Sequence, residues 1–406
     1  MTSPQRSDVI VVGAGPAGLT AALGLAAVGV EVIIAAPAYD AALAAADTRT
    51  TALLLDSIVL LDNLRAWALC AGESEPLLAI RIIDDRGHLL RAPEVLFSAC
   101  ELRLPSFGAN IANPTLIRAL VAAVWRHPRI RWHTTAAVKA VTSSADSVRA
   151  VLAEGGTLQA RLVVGADGAD SLVRRSAGID AQRWSYPQAA IAGTLRHSKG
   201  QRGVTSELHT RAGPLTLVPL SGDVASFVWV VEPDRAERLG HLVAHEFLAE
   251  LALCLRGLLG SLLSVGPRAS FALAGLSARR MGRRRMALVG EAAHVVPPIG
   301  AQGLNLSLRD AAALADCVAD ARGRGEDIGG APTLDAYDRA RWSDVLTRSA
   351  FVDLFNRSLL TDFLPLVVAR GIGLHMLANI PTVRRLVMQA GLRPLGPLPR
   401  LMRRPN

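Results

Sequence analysis

From residue 9 to residue 34 the chain is almost wholly apolar, yet Gly13-Ala14-Gly15-Pro16-Ala17-Gly18 interrupts the run and Glu31 falls near its far end. An unbroken apolar stretch of that length would suit a membrane-spanning helix or a leader sequence. The glycines and the proline would break such a helix, and Asp8 precedes the run. The pattern instead predicts a buried strand over 8–12, a tight turn, a helix over about 16–28 and a second buried strand over 31–35.

Helical spacing recurs over 50–67, 114–126 and 303–321. Short strand-like segments fall at 79–84, 88–91, 130–134, 137–143, 148–152 and 158–164, with Asp85-Arg86-Gly87 as the turn between the first two. Between 186 and 271 strands dominate (189–195, 204–209, 215–219, 225–231), with one helix over about 241–255. That block reads as a sheet domain inserted into the first. A buried strand returns over 287–289, followed by a loop and the helix at 303–321. The rest is mostly helical and ends in a tail rich in Arg and Pro.

Composition narrows the class. Of 406 residues 50% are hydrophobic and 19% charged, with mean hydropathy +0.31, which excludes a disordered chain. Cys70, Cys100, Cys254 and Cys317 are scattered without pairing or ligand spacing, which excludes a disulfide scaffold. A net charge of +9 first suggests nucleic acid. Only Lys139 and Lys199 are lysines among the 44 basic residues, however, so the charge reads as an arginine-biased composition. No aromatic–basic stacking platform accompanies it, and no nucleic-acid partner is expected. His241 and His245 are four apart on the expected helix but lack a supporting Glu and a third ligand, so no metal site is expected.

Chemistry concentrates in three stretches. Gly13, Ala14, Gly15, Pro16, Ala17 and Gly18 fit G-x-G-x-x-G between a strand and a helix, where glycines allow a tight turn and close approach to a pyrophosphate. The helix N-terminus adds free N–H groups and a positive dipole. No acid follows at the end of the second strand, where one would hold the adenosine ribose; the chain reads Ala35-Ala36-Pro37. The second stretch is Gly165-Ala166-Asp167-Gly168-Ala169-Asp170. The third is Gly290-Glu291-Ala292-Ala293-His294, followed by Pro297-Pro298-Ile299-Gly300-Ala301-Gln302-Gly303-Leu304-Asn305. The helix opening near Gly303 would present its positive end to an anion, and Gly300 and Gly303 permit backbone approach.

Taken in order, these stretches resemble the single-component FAD-dependent aromatic hydroxylases, the class A flavoprotein monooxygenases. Asp47-Thr48-Arg49-Thr50-Thr51-Ala52-Leu53 with Ser57, Leu60, Leu64 and Trp67 is similar to a signature of the ubiquinone-biosynthesis subfamily. The resemblance covers essentially the whole chain. It implies an α/β fold: a Rossmann-like FAD-binding domain with an inserted, mostly antiparallel β-sheet substrate domain and a helical C-terminal region. The FAD-binding parts would be 1–78, 101–185 and 272–330, the substrate-domain parts 79–100 and 186–271, and the helical region 331–406.

The resemblance further implies an NAD(P)H-dependent ring monooxygenase. FAD would be reduced by NADH or NADPH and would hydroxylate a polyprenylated phenol of ubiquinone biosynthesis through a flavin C4a-hydroperoxide. Gly13–Gly18 would hold the ADP part, Asp167 and Gly168 both cofactors, and Gly290 and Glu291 the ribityl side. Pro297, Pro298, Gly300, Ala301, Gln302, Gly303, Leu304 and Asn305 would lie against the ring, and Arg49 would pair with a phosphate. Glu291 stands for the usual Asp, and Ala301 for the usual Gly. The substrate pocket would lie between the inserted sheet and the FAD domain. Two alternatives stay open: a hydroxylase of another aromatic compound, and a non-hydroxylating subunit of a ubiquinone-synthesis complex. A cytoplasmic location is expected. The apolar segment 359–374 and the tail arginines suit contact with the inner face of the membrane as well as packing on the FAD domain.

Overall fold

The computed structural model describes residues 5–85, 93–210, 213–360, 364–392 and 396–404. Its first core is a six-stranded sheet in the order Gly282–Arg283, Met286–Leu288, Leu162–Gly165, Val9–Val12, Val32–Ala36, Ile130–Thr134. All neighbours are parallel except the Gly282–Arg283/Met286–Leu288 hairpin. Val9–Val12 and Leu162–Gly165 are buried throughout, as strands covered on both faces must be. Helices Pro16–Ala27 and Gln302–Gly323 pack on each other against this sheet.

The second core is an eight-stranded sheet: His294–Val295, Leu262–Ala278, Ala181–His197, Val224–Val231, Gly213–Leu220, Val204–Thr210, Ala79–Asp85 and Val95–Ser98. Neighbours are antiparallel apart from Val204–Thr210 beside Ala79–Asp85. Helices Pro233–His241 and Ala244–Leu255 seal one face, with Trp229, Phe227 and Phe247 at its centre. The other face meets the long helix Ala331–Leu360: the Tyr186 hydroxyl donates to Asp353 Oδ1 at 2.6 Å and Asn356 Nδ2 donates to Gln188 Oε1 at 2.9 Å. Both sheet residues flank a register shift between Ser185 and Ala189, where the bulge re-aims side chains at the helix.

Several elements differ from the sequence expectation. The stretch 50–67 opens as the strand Thr50–Leu54, paired with Gly108–Ala112, and only then becomes the helix Leu55–Asn63. β-Branched Thr50 and Thr51 suit the strand. The single strand over 158–164 is two strands, Thr157–Ala160 and Leu162–Gly165, in different sheets. The 17-residue strands Ala181–His197 and Leu262–Ala278 run past the expected limits at 186 and 271, because they pair with each other as far as Ala181 and Ala278, and Leu262–Ala278 also pairs with His294–Val295. His241 ends one helix and His245 begins the next, so they do not share a helical face. The strand expected over 88–91 lies outside the described residues.

Candidate active site

Three adjacent parallel strands end side by side, with Val12 opposite Gly165 and Gly165 opposite Leu288. Each runs directly into one of the three motifs, at the carboxyl edge where doubly wound sheets bind ligands. The glycines there do different work. Gly13 has φ +104°, and a Cβ on it would lie 2.3 Å from the Ala166 carbonyl oxygen. A Cβ on Gly18 would lie 2.2 Å from the Gly13 oxygen. These two let strand, turn and helix close on one another. A Cβ on Gly15, Gly168 or Gly303 would meet nothing within 4 Å, so their open sides form a cradle. Helices Pro16–Ala27 and Gln302–Gly323 both begin here without an acid in the first turn, leaving their positive ends free for an anion.

The second motif braces itself. Asp167 accepts from Ser171 Oγ at 2.6 Å and from the Val173 N–H at 3.1 Å, which caps the short helix Leu172–Ser176. Gly168 turns with φ +78°. In the third motif the Gly290 N–H donates to Asp310 Oδ2 at 3.0 Å, while the Glu291 carboxylate is exposed. A Cβ on Gly290 would sit 3.1 Å from the Ala17 Cβ, so this glycine seats the third motif on the first helix.

The loop 297–301 is tightly built. The Ile299 N–H donates to the Pro297 oxygen at 2.7 Å, and Gly300 and Ala301 take left-handed φ values of +61° and +54°. A side chain in that conformation costs roughly 1 kcal/mol, so Ala301 holds strain where glycine would hold none. Gln302 Nε2 donates back to the Gly300 oxygen at 3.0 Å, and its Oε1 accepts from Arg348 Nη1 at 2.7 Å.

Behind the loop lies a buried ionic network. His294 Nε2 is 2.6 Å from Asp310 Oδ2, Arg341 Nε donates to Asp310 Oδ1 at 2.7 Å, and Arg341 Nη1 donates to Asp344 Oδ2 at 2.9 Å. Arg309 and Arg348 also donate to Asp344, at 3.1 and 2.7 Å. Burial opposes ionisation of Asp344, but the guanidiniums of Arg341 and Arg309 hold its carboxyl down at about 2. Burial likewise opposes ionisation of Asp310, and His294 and Arg341 keep it below the usual carboxylate range. Among the described residues, three guanidiniums thus face two carboxylates behind the loop.

The FAD binding domain family matches residues 6–345. The chain is 37% identical to the ubiquinone hydroxylase UbiL of Rhodospirillum rubrum, over 99% of this chain and 94% of that protein. It is 31% identical to the 3-demethoxyubiquinol 3-hydroxylase of Escherichia coli, over 96% and 99% of the two chains. The chain belongs to this FAD-dependent hydroxylase family. Its fold matches p-nitrophenol 4-monooxygenase PnpA from Pseudomonas putida with TM-score 0.77 at 18% identity, covering 97% of this chain and 100% of that one. Klebsiella pneumoniae HpxO, solved with FAD and uric acid, matches with TM-score 0.74 at 19% identity over 97% and 98%. FAD is the cofactor, and the open glycines and two unopposed helix N-termini fit it.

Several of the expected site residues have partners within the chain. Arg49 is in a bidentate pair with Asp47, at 2.8 Å through each of two nitrogens, and feels the Glu291 charge. Its partner here is thus a carboxylate of its own signature. Both donors of the buried Asn305 side chain are used: Oδ1 accepts from the Leu54 N–H at 2.9 Å and Nδ2 donates to Ala52 and Ala301 oxygens at 2.8 and 2.6 Å. It stitches the strand Thr50–Leu54 to the loop. Among the arginines at 279, 280, 283, 284 and 285, Arg280 pairs with Asp335 and Asp338, and Arg285 with Asp327. Sequence reasoning missed Asp310, Arg341, Asp344 and Arg348. Their signal was Arg309-Asp310 within the buried, Ala- and Leu-rich first half of a helix, with an Arg, Asp, Arg series spaced three and four apart on the next.

Proposed function

We propose that this protein hydroxylates the aromatic ring of a polyprenylated phenol in ubiquinone biosynthesis, using NAD(P)H and O₂. The observation that carries the reading is the convergence of three motifs at three neighbouring strand ends, with the loop 297–301 closing the same edge. The relatives named for hydroxylation of ubiquinone and its precursors support the substrate class.

FAD, when bound, supplies the oxygen-activating redox chemistry. The chain supplies the rest. The turn Gly13–Gly18 and the first N–H groups of helix Pro16–Ala27 take the pyrophosphate. Asp167 acts from behind, holding the backbone of 167–168 in place for both cofactors. The exposed Glu291 is free for hydroxyls on the ribityl side, one methylene further out than an aspartate. The loop 297–301 and the N-terminus of helix Gln302–Gly323 present positive potential to the ring, and the Arg309, Arg341 and Arg348 cluster adds to it. The inserted sheet and helix Ala331–Leu360 close over this edge and exclude water. The phenol would enter between them. We place the protein at the inner face of the cytoplasmic membrane, where such a phenol resides.

Purified protein should be yellow and release FAD on denaturation. Deleting the gene should deplete ubiquinone and accumulate a precursor lacking one ring hydroxyl. An unchanged quinone pool would reject the ubiquinone assignment and leave another aromatic compound as the substrate. Colourless protein that cannot be reconstituted with FAD would reject hydroxylation altogether.

A further inference from the structure

The C-terminal helices Leu364–Asn379 and Pro381–Leu392 form a hairpin on the far end of the inserted sheet. Their inner sides are settled by contact. Leu374 and Met388 are buried with Val95, Phe97 and Phe107, and Leu377, Ala378 and Leu392 pack against the same cluster. Arg384 is drawn inward to Glu101, at 2.8 Å. Their outer sides carry large apolar residues as well. Ile372 and Met376 lie on the side away from Leu374, Ile380 sits in the turn between the helices, and Leu386 and Val387 stand clear of the buried Met388, beside the exposed polar His375, Asn379, Thr382 and Gln389. The five apolar residues are 41–61% exposed. A water-facing helix pair would place polar residues there. Scattered exposed apolar residues are ordinary, but five on one helix pair mark a docking surface.

Charge identifies what docks. From residue 364 to 406 the sequence has seven arginines and no Asp or Glu. Arg400 turns back onto Asp316 and Asp320, but Arg385 is exposed beside Leu386 and has no ion-pair partner among the described residues. A protein-binding surface ordinarily mixes signs to fix its partner. A helix pair that contributes no Asp or Glu of its own and sets large apolar side chains beside an unpaired arginine complements anionic headgroups with acyl chains beneath them. Among the described residues no helix is long and apolar enough to cross a membrane, so the contact would lie in the interface plane.

We propose that the outer face of this hairpin docks on an anionic lipid bilayer, with Ile372, Met376, Ile380, Leu386 and Val387 entering the acyl boundary and Arg385 meeting headgroup phosphates. The inference rests on the lipid-borne substrate for its purpose, but its test needs no substrate. Sedimentation with vesicles of phosphatidylcholine and phosphatidylglycerol (three to one) should carry the protein down at low salt, and pure phosphatidylcholine vesicles should not. The exposed pair Leu386→Gln, Val387→Gln should cut binding roughly tenfold, and Arg385→Glu should do the same while removing salt sensitivity. Both variants should keep their FAD content and their turnover of a detergent-dispersed phenol. Absence of vesicle binding by the wild type, or equal binding by the variants, would overturn the proposal. So would a hairpin that ignores vesicles and binds another ubiquinone-synthesis protein. A wild type that binds the vesicles but turns over no phenol would count against the hydroxylase reading instead.

Discussion

At the scale of single residues, the cradle separates glycines that build the fold from a glycine that admits the ligand. Gly15 is extended, with φ −69° and ψ 173°, and a Cβ there meets no protein atom within 4 Å. Gly15→Val should therefore leave the melting temperature nearly unchanged while weakening FAD binding at least tenfold, read by flavin fluorescence titration. Gly18→Ala should behave oppositely. Its Cβ would be driven into the Gly13 oxygen, and overpacking of that kind costs on the order of 1–3 kcal/mol, seen in urea unfolding of the apoprotein. Arg348 is the sharpest test of the loop. Arg348→Gln removes the donor to Gln302 Oε1 and to Asp344, and should shift the bound-flavin spectrum and weaken FAD binding; Arg348→Lys should restore part of the charge but not the geometry. An unaltered flavin spectrum in Arg348→Gln would remove the loop from this account.

At the scale of elements, helices Gln302–Gly323 and Ala331–Leu360 are joined by buried ions rather than by apolar packing alone. Removing one partner leaves uncompensated charge, so Asp344→Ala should cost on the order of 3–5 kcal/mol, read by urea denaturation. The acid dependence follows from the same group. The Asp344 carboxyl is depressed from 3.8 to about 2 in the folded protein. Its stabilisation is therefore complete above about pH 4 and is lost as pH falls towards 2. The urea midpoint should fall across that window in the wild type and fall less in Asp344→Asn. These elements also show what a sequence can carry. The turn Gly13–Gly18 and the buried strand 9–12 were readable because glycine spacing and continuous apolarity are local signals. The strand Thr50–Leu54 was misread because its partner, Gly108–Ala112, is more than 50 residues away. The 17-residue strands and the pairing of Arg341 with Asp310 share that cause: their partners become neighbours only in the folded chain.

At the scale of the whole molecule, two sheets and a helical hairpin divide one task. The parallel sheet brings the three motifs to one edge, helix Ala331–Leu360 ties the inserted sheet to it, and the hairpin packs on the inserted sheet with large apolar side chains left outward. The three motifs that the strand ends bring together were legible because each is short and contiguous. The network that sets the loop was not, because its charges come from two helices and meet only in the core. The central claim is ring hydroxylation with oxygen taken from O₂. It is tested most directly by incubating the purified protein with FAD, NAD(P)H, a polyprenylated phenol and heavy-oxygen O₂, and weighing the product by mass spectrometry. The account predicts one added oxygen atom carrying the heavy label. Cofactor oxidation with no hydroxylated product, or a product whose oxygen comes from water, would contradict it.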